Sequence, residues 1–424
     1  MIDVRPSEVP ALAWSWLYIF SLLSSYYIMR PIRDQMGIAG GVNNLQWLFT
    51  GTLIGMLLLN LPFSWLVKTF PRKTFIAISY RFFSANILLF ALALYAATPE
   101  QTIWVGRIFF IWTSVFNLFV VSIFWQMIVD VFSSEQGKRL FGFIAAGATL
   151  GAISGSAFTI STVEHMASGY LMVGAALMLE AAVFCVRRLS GLSAALSERP
   201  QLEQERPIGG TLLGGIRDAL SSSYLLNVSL FLLLYAVTST FLYFQQAAVV
   251  SHSFQSRAAQ TAFFASIDLG VNILTLGAQL FLTGRILKRF GVGTTLSLLP
   301  AFSVVGFGVV ALLPVLPSVV GFQLIRRAGN FAIARPTREV LFTVLPREDR
   351  YKAKSFIDTA VYRLGDQIGA WSFALLTTVL GLGLTQVSIV AAALSGSWLA
   401  NSWWLGRRQD VLARQQAIGP EGAH

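Results

Sequence analysis

The feature that most constrains this chain is a succession of apolar runs, each near the length of a bilayer crossing, separated by short segments rich in arginine and lysine. A helix needs about 20 mostly apolar residues to cross about 30 Å of hydrocarbon, and backbone in lipid must satisfy its own hydrogen bonds. The pattern predicts twelve spans, beginning near Ala11, Leu45, Thr74, Ile103, Leu140, Ser168, Tyr224, Ala262, Val292, Pro317, Ser355 and Thr385. Only 12% of the 424 residues are charged, roughly half the share in an ordinary soluble protein, which excludes a soluble enzyme. The expected class is an all-α polytopic membrane protein.

The basic residues orient these spans. With the N-terminus inside, 21 of the 31 Lys and Arg residues fall on the inner side, and three, Arg30, Arg33 and Arg257, on the outer. That asymmetry predicts a bacterial inner-membrane protein with both termini cytoplasmic, which requires an even number of spans. Basic loops facing anionic lipid account for the net charge of +11 without nucleic acid. The N-terminal MIDVRPSEVP lacks the order of a cleaved signal, so the first run is expected to stay as a span. One cysteine, Cys185, and three histidines without a cluster predict no disulfide, no metal site and no cofactor. Neither a phosphate-binding GxxxxGK[ST] loop nor a nucleophile-base pair in a loop is present, so an enzyme is not expected.

The two halves repeat. LVKTFPRK (66–73) corresponds to RILKRFG (285–291), and SSEQGKRLFG (133–142) to PREDRYKAKSF (346–356), at offsets of about 213 to 220 positions. The polar stretch after Arg187 divides the chain into an N-terminal six-helix bundle (1–190), a cytoplasmic linker (191–223) and a C-terminal six-helix bundle (224–424). This arrangement resembles the parallel-repeat architecture of the major facilitator superfamily, whose bundles rock about a central site. Such a chain is expected to work as a monomer on a small-molecule anionic substrate, with membrane lipid around it.

Seven arginines fall within spans: Arg81, Arg107, Arg326, Arg327, Arg335, Arg338 and Arg363. Each would cost about 2.5 to 3.5 kcal/mol at a lipid-facing helix centre, so they should face protein or water. Arg326 and Arg327 lie about 14 Å into the tenth span. With Asn330 and Arg338 they form one polar arc suited to phosphate or carboxylate, which guanidinium grips in bidentate fashion. The alternative is that Arg327 or Arg338 pairs with Glu339, Asp358 or Asp366. In the eleventh span Asp358, Arg363 and Asp366 suit either a gate or a static internal salt bridge, and Arg363 and Asp366, three apart, can touch. Arg30 and Arg33 at the end of the first span, with Asp34 one turn from Arg30, either snorkel to the interface or enter the cavity mouth. The lone acids Glu180 and Asp268 are candidate proton carriers or partners for Arg81 or Arg107. Gly147, Gly151 and Gly155 form a small-residue ridge that lets helices approach closely. Trp398, Trp403 and Trp404 read as interfacial.

Two patches carry a resemblance. YYIMRPIRDQMG (26–37) looks like the Arg-x-x-(Lys/Arg)-Asp stretch of the nucleotide (ATP/ADP) translocases of intracellular bacteria and plastids. RPTREVLFTVLPREDRYKAKSFIDTAVYRLGDQIG (335–369) is similar to their tenth-to-eleventh-span segment. The resemblance implies exchange of nucleoside triphosphate for diphosphate, and points to Arg30, Arg33, Asp34, Arg338, Glu339, Lys352, Lys354, Asp358 and Arg363. It departs at Arg33 for the usual Lys, at Pro31 for the usual Asp, and at Asp366 for the Lys after Arg-Leu-Gly, the pattern of a distant branch. The alternative expectation is a proton-coupled exporter of drugs or metabolites.

Overall fold

Apolar stretches of bilayer-crossing length build helical rods, and Pro31, Pro62 and Pro300 lie within three of them. The structure, a computed structural model, describes residues 4–196, 222–345, 353–354 and 356–418. Nine long helices come first: α1 (Val9–Ala39), α2 (Leu45–Thr69), α3 (Arg72–Ala96), α4 (Pro99–Val131), α5 (Ser134–Thr162), α6 (Ser168–Leu196), α7 (Ser223–Ser253), α8 (Arg257–Phe281) and α9 (Thr283–Leu312). A tenth rod joins α10 (Leu316–Gly329) to α11 (Arg335–Leu341) through a π-helical turn, Asn330–Ala334. In the eleventh, α12 (Tyr362–Ala374) lies between π turns Ile357–Val361 and Leu375–Val379, and α13 (Leu384–Ile418) is the twelfth. Among the described residues, nine helices are long and apolar enough to cross a membrane, all before Leu316. The later rods are interrupted or carry charge, so length and apolarity alone do not single them out. Most of the expected linker, together with Arg347, Arg350 and Lys352, lies outside the described residues.

The starts of α4 and α5 follow capping chemistry and fall earlier than hydropathy predicts. α5 begins at Ser134 because the Ser133 hydroxyl accepts from the Gln136 backbone at 3.3 Å, while the Gln136 side chain accepts from the Ser133 backbone at 2.9 Å. Thr98 and Gln101 do the same for α4. The expected ninth start, Val292, marks a kink: Gly291 has φ of 72°, a conformation favouring glycine, and splits α9 into a short and a long piece.

The chain packs as two units. The first groups Met1–Glu203 with Ser251–Asn272, the second Gln204–Val250 with Ile273–His424. In the first, the glycine ridge of α5 lies on the backbone of α1: a Cβ at Gly147 would sit 3.0 Å from the Trp16 carbonyl oxygen, one at Gly151 would strike that of Phe20, and one at Gly155 would lie 2.5 Å from that of Ser24. In the second, Gly365 and Gly369 of α12 face the carbonyl oxygens of Leu233 and Val237 in α7, at 3.1 Å from each added Cβ. The contacts of Gly147 and Gly151 therefore recur 218 positions later, so the internal repeat is also a repeat of packing.

Candidate functional site

In the first unit the chemistry gathers near the end of α1. Arg30 Nη1 stands 3.4 Å from Asp268 Oδ1 of α8, with the Asp268 side chain 2% exposed. The Tyr27 ring centroid lies 5.6 Å from the Arg30 guanidinium carbon. Arg33 turns to its sequence neighbour: Nε and Nη2 donate to Asp34 Oδ1 at 2.9 and 2.5 Å, and Nη1 donates to Ser114 Oγ at 3.3 Å. Its guanidinium carbon stands 4.7 Å from the centre of the Phe110 ring. Asp34 thus serves Arg33, and Arg30 draws its acid from α8. Asp268, expected beside Arg81 or Arg107, meets Arg30, while Arg107 donates to the Gly40 carbonyl at 3.3 Å and stacks on Trp104. At the other end of α1, buried Glu8 accepts from Arg139 at 2.9 Å and from Gln136 at 3.0 Å, tying α1 to α5.

In the second unit Arg326 is 2% exposed, and every polar partner it has among the described residues is neutral. Nε donates to Ser303 Oγ at 3.1 Å, Nη1 to Ser239 Oγ at 2.7 Å, and Nη2 to Thr238 Oγ1 at 2.7 Å and the Tyr235 carbonyl at 3.4 Å. The Thr238 and Ser303 hydroxyls donate to the Leu234 and Leu299 carbonyls, which leaves their oxygens to accept from the guanidinium. Tyr235 and Trp398 hold their ring centres 5.2 and 5.8 Å from its carbon. Among the described residues no carboxylate lies within ion-pair distance of Arg326. Trp398 corrects the interfacial reading: it is fully buried against this cation, whereas Trp403 and Trp404 are exposed. The cage of Ser239, Thr238, Ser303 and Tyr235 escapes sequence reading, since membrane-helix hydroxyls usually bond their own backbone.

The remaining charges separate along the tenth and eleventh rods. Pro336 has no N–H to offer the Ala332 carbonyl four residues back, and the Thr283 hydroxyl of α9 donates there at 2.7 Å. The π turn ahead of Pro336 inserts backbone between Arg326 and Arg338 and so rotates Arg338 about the rod axis relative to a straight helix. Arg326, Asn330 and Arg338 are buried, Arg327 is half-buried and Arg335 exposed. Arg338 Nη2 pairs with Asp358 Oδ1 at 3.0 Å, and Arg363 Nη1 with Asp366 Oδ2 at 3.1 Å. Lys354 bonds Glu339 across the two rods. Glu180 is exposed on α6 and joins none of these groups.

The Major Facilitator Superfamily model matches residues 12–365. No curated protein matches the chain in sequence. Solved structures similar in fold include a POT family transporter in complex with 5-aminolevulinic acid, with TM-score 0.65 and 11% identity over 94% of this chain and 96% of that one. Another is a bacterial homologue of the iron transporter ferroportin in an inward-facing state, with TM-score 0.64 and 13% identity over 94% and 98%. A third is the nucleoside transporter NupG, with TM-score 0.56 and 14% identity over 95% and 99%. The multi-pass helical fold and the family match lead to one conclusion: this chain belongs to the Major Facilitator Superfamily and is a membrane transporter rather than an enzyme.

Proposed function

We propose that the chain is a secondary active transporter that moves an organic anion, phosphorylated or nucleotide-like, by alternating access across the bacterial inner membrane. Both termini are cytoplasmic in this reading, and the bundles 1–190 and 224–424 rock about the linker 191–223. The observation that carries it is Arg326: a buried guanidinium held by three hydroxyls and a carbonyl, with no carboxylate among the described residues to neutralise it. An isolated buried charge is costly, and an arriving anion would relieve that cost. Arg327, Asn330 and Arg338 belong to the same rod as secondary contacts. The nucleotide class rests on the resemblance of the Arg30–Asp34 and Arg335–Gly369 segments to nucleotide translocases.

The paired charges suit coupling. A phosphate reaching Arg30 would compete with Asp268, and the Arg338–Asp358, Lys354–Glu339 and Arg363–Asp366 pairs bridge or brace the rods that an alternating cycle must move. Proton coupling is the second reading, supported by the Asp268 carboxylate of α8, which is 2% exposed and stands 3.4 Å from the Arg30 guanidinium of α1. The test is uptake of labelled ATP into sealed proteoliposomes that are preloaded with ADP, empty, or empty under an imposed pH gradient. Uptake that requires internal ADP supports exchange; uptake driven by the gradient supports proton coupling. No ATP movement under any condition removes the nucleotide assignment.

A further inference from the structure

Two charges lie outside everything the proposed transport path uses. α3 and α6 pack side by side in the first unit, and their outer faces expose large apolar residues, among them Phe82 and Leu89 on α3 and Leu177 and Phe184 on α6. Each of these faces carries one mid-span charge, Arg81 in α3 and Glu180 in α6, and both are exposed. Neither side chain has a hydrogen-bond or ion-pair partner among the described residues. A charge facing hydrocarbon needs a partner or water. Arginine can reach toward an interface along its stem, whereas the short Glu180 side chain cannot: it stands twelve residues into the span Ser168–Leu192.

The two charges share a depth. A Cβ added at Gly169 would lie 3.5 Å from the Ala91 carbonyl oxygen, which registers the end of α3 against the start of α6. Ten residues back along α3 from Ala91 is Arg81, and eleven forward along α6 from Gly169 is Glu180, displacements of about 15 and 17 Å. Two copies related by a two-fold axis along the membrane normal bring together only residues at equal depth, and they do so twice. We infer that this chain forms an isologous dimer through the α3–α6 face, in which Arg81 of each copy pairs with Glu180 of the other. The apolar residues flanking each charge pack around the two ion pairs. The expectation of a working monomer concerns transport; here each copy keeps its own substrate path and gains a lateral contact.

The test uses the full chain with Cys185→Ser, one population carrying Ala85→Cys and a second Leu177→Cys, each about one turn from Arg81 or Glu180 toward the same membrane face, mixed for oxidative crosslinking in lipid vesicles, and a fluorophore-labelled version for counting bleaching steps. The expected result is a crosslink between the two populations, with two-step bleaching at raised protein density. Arg81→Gln or Glu180→Gln should lower the dimer fraction at least tenfold at equal density, and the swap of Arg81→Glu with Glu180→Arg should restore it. Single-step bleaching at every density overturns the inference, as do dimers that fail to crosslink position 85 of one copy to position 177 of the other. A dimer fraction unchanged in both neutral variants overturns the assigned pairing whether or not the swapped protein folds.

Discussion

The two units handle buried positive charge in opposite ways. In the first, Arg30 and Arg33 each have a carboxylate, Asp268 and Asp34, so the cluster is close to neutral. In the second, Arg326 is more deeply buried and has, among the described residues, only hydroxyls, a carbonyl and two aromatic faces as partners. A guanidinium already paired with an acid can be released by a competing anion or a proton, whereas one solvated by dipoles retains its full charge for whatever arrives. The first arrangement suits a latch and the second a receptor for an anion.

The sharpest way to break that comparison is to change Arg326. Arg326→Glu places a carboxylate among oxygens oriented to accept, and anion uptake in proteoliposomes should fall at least a hundredfold while detergent-purified protein keeps its elution profile. Arg326→Lys keeps the charge but supplies one point donor to a cage shaped for a planar fork, and should cost about tenfold. Normal uptake by Arg326→Glu would remove Arg326 from the substrate path. The latch is tested by Asp268→Asn, which should slow transport about tenfold by leaving Arg30 without its acid. Adding Arg30→Gln should recover part of the loss, with a coupling energy of about 1–3 kcal/mol. Additive effects of the two substitutions would mean that the pair does not act as a unit.

Much of the first unit's architecture was legible in the sequence. Apolar run lengths located the spans, and the Gly147, Gly151 and Gly155 spacing announced the close approach that α1 and α5 make. The Arg363–Asp366 pair followed from helical spacing. The arginine partners were less legible, because which acid lies within reach depends on contacts between helices distant in sequence, as with Arg30 and Asp268. The cage around Arg326 was invisible for a different reason: serine and threonine in apolar helices look alike whether they bond only their own backbone or also accept from a neighbour. Trp398 shows the limit of composition rules, since a tryptophan near a charged helix end reads as interfacial until its packing against Phe231 and Tyr235 is seen.

Because the glycine contacts recur in both units, their removal should harm both, independently of charge. Gly151→Leu and Gly369→Leu drive side-chain atoms into the α1 backbone and into Thr240 with the α7 backbone, and each should cost about 1–3 kcal/mol. Gly142→Leu, where nothing lies within 4 Å of an added Cβ, should leave the melting temperature in detergent nearly unchanged. An equal loss at all three positions would mean that helix approach is not what the glycines provide.

The smallest expected effect separates the two units by their prolines. Pro31 sits directly after Arg30, and α1 runs unbroken through it from Val9 to Ala39. Pro336 follows a π turn, and the Ala332 carbonyl that it cannot serve accepts from the Thr283 hydroxyl at 2.7 Å. Thr283→Val keeps the shape of the side chain and removes that donor, so the carbonyl loses its side-chain hydrogen bond at a cost of about 1 kcal/mol. If that bond also fixes the bend that sets Arg338 relative to Arg326, the variant should transport more slowly at saturating substrate, and its stability should fall by no more than this amount. A variant with unchanged stability and unchanged transport would show that the π turn holds its own geometry, and that α9 only rests against it.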